Sequence, residues 1–269
     1  NEISHSAKYG INCNAASPLI DNNVISNNSY YGIYCAYNSG ATVSNNIISD
    51  NSLSGLYASA SNLTITDNTF NNNSSYGIEL MNCSSITRSI TGNSGSGNNY
   101  NGIRVNGSLT ANSTLPTGNI DFPYIANNID INSGITLTIE APNVVKFSNG
   151  NEVIEVYGTL IADATDGSEI IFTSLQDDDY GGDTNNDGLS SGTPGDWHVI
   201  WFKEQSDDAS CILDHCIIKY GGYAGGTSDY GMIYCEQSSP TITNNEISHS
   251  AKYGINCNAA SPLIDNNVI

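Results

Sequence analysis

Along the first hundred residues the apolar side chains do not recur at helical spacing. They come in short alternating runs such as TVSNNII and TITDNTF, separated by Gly, Asn and Ser. Runs of this kind, rich in Ile, Val, Thr and Tyr, predict short strands joined by bends. A longer period lies over them. With an apolar residue as position zero, Asn follows at plus three, a second apolar residue at plus five and Gly at plus twelve. Ile20, Asn23, Ile25 and Gly32 fit this frame, as do Val43, Asn46, Ile48 and Gly55. Ile65, Asn68, Phe70 and Gly77 repeat it, and so do Ile242, Asn245, Ile247 and Gly254. Ile90, Asn93 and Gly102 keep it with Gly95 at plus five, while Leu213, Ile218 and Gly225 keep it with Cys216 in place of Asn.

The steps between frames are 22 to 25 residues, with one of 29 from Leu213 to Ile242, where GGTSDY is inserted. A repeat of that length is one coil of a β-solenoid, in which like residues lie above like at a strand spacing of about 4.8 Å. Several expectations come with it. The plus-three asparagines should form a ladder of side-chain amides, and Asn at these sharp bends tolerates left-handed backbone angles. The apolar positions should stack into the core. Tyr9, Tyr31, Tyr76 and Tyr253, each just before the frame Gly, should form partial aromatic columns.

The longest repeat is literal: NEISHSAKYGINCNAASPLIDNNVI occupies residues 1–25 and returns unchanged as residues 245–269. Asn1 corresponds to Asn245, a plus-three position, and Ile269 to Ile25, a plus-five position, so both copies are in phase with the frame. The expectation is a single β-helix over 1–269, taken from a tandem array with a 244-residue unit. Asn-rich coils would fill 1–134, acidic coils 135–239 with a loop at 176–196, and the start of the next unit 240–269. A unit of about ten coils would advance roughly 50 Å along the axis.

The coil frame resembles the repeats of right-handed parallel β-helix proteins, the pectate-lyase-like superfamily with its carbohydrate-binding and periplasmic copper-binding-protein-like branches. The resemblance covers residues 1–106 and 213–269. Between them, a strand bearing GTL, then IIFTS, then an acidic excursion closing on PGDW resembles a segment of secreted and surface β-helix proteins of microbes. The resemblance implies an all-β, right-handed parallel β-helix (β-solenoid) with about 22–25 residues per coil and one acidic loop excursion. It also implies an extracellular or cell-surface location. It does not imply one activity, because the fold carries many.

Composition narrows the partners. Seven basic and 27 acidic side chains give a formal charge of -20, which excludes binding to nucleic acid or an anionic bilayer by charge. No run of eighteen apolar residues is present, so membrane insertion is not expected. The 38 asparagines crowd into residues 1–132 and 244–267, whereas 18 of the 27 carboxylates fall between Glu140 and Glu236. The chain thus has an Asn-rich region and an acidic region of different sequence character.

The sharpest candidate chemistry is the acidic excursion, where Asp177, Asp178, Asp179, Asp183, Asn185, Asp187 and Asp196 gather. DTNNDG offers oxygen ligands at alternate positions with a Gly for the turn, the logic of a calcium loop. Pro194 stands where an EF-hand needs its last Glu, which excludes that motif. The candidate Ca²⁺ ligands are Asp177, Asp179, Asp183, Asn185, Asp187 and Asp196, the alternative being a solvated acidic loop. Polysaccharide cleavage finds less equipment: Arg88 and Arg104 are remote in sequence from the loop, and no compact paired-Asp motif occurs. His5, His198, His215 and His249 make no metal set. Cys235, Cys257 and Cys35 follow a Gly by three or four residues and should stack as buried free thiols in a continuous array. The reading is a non-catalytic structural repeat of an extracellular fibre, stalk, sheath or adhesin. Its partners would be other copies of the repeat along the axis, with glycans as a second class. The alternative is a carbohydrate-binding or polysaccharide-degrading β-helix.

Overall fold

The structure, a computed structural model, describes residues 1–165, 167–223 and 230–269; Gly225 and most of GGTSDY lie outside the described residues. Alternating Ile/Val/Thr runs become strands whose pairing is parallel throughout, in a β-solenoid of about 11 turns. Among the described residues no helix is long and apolar enough to cross a membrane.

Each coil has three faces. In the first coil these are Glu2–Ser4, Ile11–Asn14 and Leu19–Asp21, and in the second Val24–Ser26, Ile33–Ala36 and Thr42–Ser44. Partners across coils sit in register, so frame residues stack: Ile3, Ile25, Ile48 and Phe70 on the first face, and Ile20, Val43, Ile65 and Ile90 on the third. These inward positions are buried, Ile3 only partly, while their neighbours in the strand face outward, as a period of two requires.

The corners follow from backbone sterics. In the Asn-rich coils they open on a residue with positive φ, such as Asn22 at 54°, Asn45 at 54° and Asp67 at 57° on the way from the third face to the first. The left-handed residue is thus the one before the ladder asparagine, not the ladder asparagine itself, because the latter must extend its side chain along the stack. At Gly32 the reason for Gly is space: a Cβ there would lie 2.7 Å from the Gly55 carbonyl oxygen and 2.7 Å from Ile48 Cγ2.

The asparagine ladder forms as the frame predicts. Asn23, Asn46 and Asn68 each donate their backbone N–H to the next Asn Oδ1 above, at 2.9, 3.0 and 3.2 Å. From Asn46 on, the ladder Nδ2 also donates to a carbonyl of the coil below, as Asn46 to Ile20 O at 2.8 Å and Asn68 to Val43 O at 2.9 Å. The amide groups of this ladder are thereby satisfied where no strand partner exists. Cys216 holds the same place with its thiol directed at Ala162 O, and the ladder resumes with Asn245 and Asn267. A second ladder, at plus eight, runs through Asn28, Asn51, Asn73 and Asn98 on the corner between first and second faces.

The cross-section changes in the middle of the molecule. The first-face column of the early coils ends at Ser94–Ser96. The second-face column continues instead, from Ile11 through Ile78, Ile103, Tyr124, Val145 and Phe172 to Ile218 and Ile247. Since Ile247 is the counterpart of Ile3, a column that begins as second face finishes as first face. Phe122 fills the step: its ring stacks 5.9 Å from Phe70 and occupies the space left by Gly77 and Gly95.

Residues 1–25 and 245–269 adopt the same coil. Their strands fall at Glu2–Ser4 and Glu246–Ser248, and at Leu19–Asp21 and Leu263–Asp265. Their left-handed residues also match: His5 and His249 at 58°, Asn22 and Asn266 at 54°.

Candidate functional site

The acidic segment leaves the solenoid between strands Ile170–Ser174 and Val199–Phe202 and folds down over the step in the cross-section. Its two ends are anchored by packing. Trp197 is fully buried, stacks 4.4 Å from Phe147 and donates Nε1–H to Lys219 O at 2.7 Å. Its middle reaches coils far below in sequence: Asn101 donates its backbone N–H to Thr184 O at 2.7 Å and Nδ2–H to Asp183 O at 3.1 Å. Asn101 also accepts from Asn98, so the loop takes over where the second ladder stops.

Beneath the loop lies Lys146, wholly buried, whose Nζ donates to Asp177 O at 2.9 Å and to Gly182 O at 2.8 Å. Burial pulls its pKa down to about 8, against the opposing pull of Asp178, Asp177 and Asp183. The lysine belongs to no motif of the sequence; the one signal for it is a lone cation inside the apolar run NVVKF.

The six candidate calcium ligands do not converge. Asp177 is buried, accepts from Thr173 Oγ1 and lies 3.9 Å from Lys219 Nζ. Asp196 accepts from Ser174 Oγ at 2.6 Å and from the Thr193 N–H at 2.9 Å, closing the base of the loop. Asp179 is exposed beside Tyr180, in a groove with Ile120. Asp183 and Asp187 do come together, with Asp178 as the third member; their oxygens lie within 4.8 Å of one another. Asn185 donates to Asp187 at 2.7 Å. Much of this set is used by the loop itself: Asp183 accepts the N–H groups of Asp187 and Gly188, both at 3.1 Å, and Asp178 accepts from Ser190 N–H at 2.7 Å. Two oxygens, Asp178 Oδ1 and Asn185 Oδ1, are buried and have no hydrogen-bond partner.

The groups that would serve cleavage are engaged elsewhere. Arg104 pairs with Glu79 at 3.0 Å, donates to Asn127 at 2.9 Å and lies over the Tyr76 ring. Arg88 donates to Gly40 O at 3.2 Å. On the outer second face Asp130 and Glu155 are register partners on adjacent rungs, and burial followed by the charge of Glu155 pushes the Asp130 pKa up. Glu155 is itself held by Lys203 at 3.2 Å and by the Tyr157 hydroxyl at 2.8 Å.

Aromatic and thiol columns occupy the same face. Tyr9 stacks 4.5 Å from Tyr34 and Tyr31 stacks 4.6 Å from Tyr57, so Tyr34 and Tyr57 interleave with the tyrosines of the frame. Cys13 is the register partner of Cys35, and Cys235 of Cys257; all seven cysteines are free. Cys211 and Cys216 point at separate carbonyls, Gly158 O and Ala162 O, and do not pair.

Residues 1–122 match the family model described as right handed beta helix region. No curated protein and no solved structure matches the chain. The columns that begin within the matched residues continue, rung by rung, to strand Leu263–Asp265, so the coil architecture of the matched stretch carries on through the described residues as a parallel β-solenoid.

Proposed function

We propose that this β-helix is a structural repeat segment of an extracellular or cell-surface fibre, stalk, sheath or adhesin, in which 244-residue units follow one another along one axis. The observation that carries the reading is the pair of identical stretches, 1–25 and 245–269, folded into the same coil. Identical sequence in identical conformation is what one unit handing its columns to the next requires. Two further features support it. The basic side chains that a lyase would use are spent on internal pairing. The tyrosines stack on each other along the axis, so they present edges and hydroxyls outward rather than open ring faces for a sugar.

A chain carrying two complete units tests the reading directly. Electron microscopy should find one unbroken rod, longer by roughly 50 Å than the single unit at about 4.8 Å per coil. Two bodies joined by a flexible waist would sink the array.

The carbohydrate-active reading has one observation in its favour, the neighbouring carboxylates of Asp130 and Glu155 beside Trp201. Saccharide-induced stabilisation that disappears in Asp130→Asn would favour it.

A calcium ion belongs to the proposal as a brace for the loop. The fitting donor set is Asp178, Asp183 and Asp187 with Asn185, because oxygen-only donors and two buried, unpartnered oxygens suit a hard cation. Calcium should raise the melting temperature, and a chelator should reverse the gain. Melting that ignores both would leave the loop braced by Lys146 and Asn101 alone.

A further inference from the structure

We propose that the groove beside Tyr180 docks a segment of a partner protein that carries an aliphatic anchor flanked by lysine or arginine. The inference goes beyond the structural reading, because the groove is built from residues 120–181 and does not depend on how units are joined.

The groove originates on the outward side of two strands. In Asn143–Phe147 and Ile170–Ser174 the core takes Val145, Phe147, Ile170 and Phe172, and the alternate side chains point away from the axis, where a solvated sheet face carries polar residues. Here those side chains are Val144 and Lys146, then Ile171 and Thr173. The acidic loop engages the polar pair, Lys146 through Gly182 O and Thr173 through the Asp177 carboxylate. The apolar pair, which continues in register to Ile217 on the next rung, lines a groove of about 400 Å³ between loop residues 179–181 and Ile120. Gly181 brings the loop wall close to the body: its φ is 70°, and a Cβ there would lie 3.0 Å from Pro123 Cγ. Val144 and Ile171 are 2% and 6% exposed and form the floor, whereas Ile120 is 45% exposed and leaves apolar surface open at the mouth.

The charge around this floor has one sign. Asp121, Glu169 and Asp179 line the groove, and among the described residues no basic side chain does. Lys219, 5.2 Å from the Tyr180 ring, is held toward Asp177 at 3.9 Å. An apolar floor inside a carboxylate rim selects a cationic segment, drawn in by charge and retained by its apolar anchor. It selects against a second copy of this chain, whose formal charge is -20.

Fluorescence anisotropy on the full 269-residue chain tests the groove, the probe being a labelled peptide with two central leucines between pairs of lysines. The peptide should bind at one site per chain, and about tenfold or more weakly once serines replace the leucines. The same leucines between glutamates should not bind. Ile120→Ser and Asp179→Asn, both at exposed positions, should each weaken the lysine peptide by about fivefold or more, while Leu189→Ser, on the same loop but outside the groove, should leave it unchanged. Should Ile120→Ser melt well below the parent, Asp179→Asn and the serine peptide still decide. No saturable binding, equal binding of the leucine and serine peptides, or binding that a folded Ile120→Ser chain retains in full would overturn the docking groove. A two-unit chain that shows a flexible waist yet binds the peptide at each unit would keep the groove and remove the array alone.

Discussion

The Asn-rich coils below residue 98 and the acidic coils above residue 124 solve the same problem in different ways. Both must turn three corners per coil without leaving buried amide groups unpaired. Below, each turn repeats the last, so a single residue type can bond to its own image: Asn46 to Asn68, Asn51 to Asn73. Above, strands Asn143–Phe147 and Ile170–Ser174 are buried along their whole length, and their surroundings differ from coil to coil. There the corners are secured by individual devices: a thiol at Cys216, a buried amine at Lys146, and Trp197 under a docked loop. Repetition makes side-chain ladders cheap in sequence information, while departure from repetition demands specific packing.

The boundary between the two regimes is the most sensitive place to break the comparison. Phe122→Ala removes the ring that fills the step above Phe70, and should destabilise the protein by about 3–5 kcal/mol in urea titration. A loss no greater than that of a surface substitution would mean the step closes without it. Within the regular region, Asn68→Leu should cost on the order of 3 kcal/mol. It strips acceptors from the Asn46 N–H and Nδ2 and the donor from Val43 O, each a buried group worth about 1–3 kcal/mol when left unpaired. If Asn68→Leu melts like the parent, the ladder is ornamental and stacking of Ile and Val columns alone holds the lower coils.

The smallest effect sharpens the upper region. Lys146 titrates near pH 8 in the fold because it is buried, whereas an unfolded lysine titrates at about 10.4. Between those values the unfolded chain binds more protons, so this group makes stability rise as pH climbs from about 8 to about 10.4. Buried thiols such as Cys83, Cys216 and Cys235 and the buried Tyr124 hydroxyl, whose pKa values burial raises, pull stability the other way over the same window, so unfolding titrations at its two ends should show a more positive slope in the parent than in Lys146→Met. Equal slopes would mean that the amine reaches solvent and the loop is open.

How much of this was legible beforehand depended on repetition. The plus-three ladder and the stacked Ile, Val and Phe positions could be read from Ile20, Asn23 and Ile25 because every later coil says the same thing. The second ladder at plus eight is equally present in Asn28, Asn51, Asn73 and Asn98 but does not stand out, since Asn is so common in this stretch that a second register hides in the first. The loop was visible as an acidic cluster, but its internal bonding was not: Asp177 and Asp196 look alike in a line of text, yet they accept hydrogen bonds from Thr173 and Ser174.

The sequence alone thus determined coil length, the inward and outward faces, the chemistry of one corner and the equivalence of residues 1–25 with 245–269, because each is a matter of local period. The tertiary structure decided what no period contains. It alone shows that the column of Ile11 becomes the column of Ile247, that Phe122 bridges the step, and that residues 183–184 return across more than eighty positions to meet Asn101. The physical reason is that these contacts occur once. A contact made once leaves no repeat to read, and is set by which surfaces remain uncovered after the repeating coils have stacked.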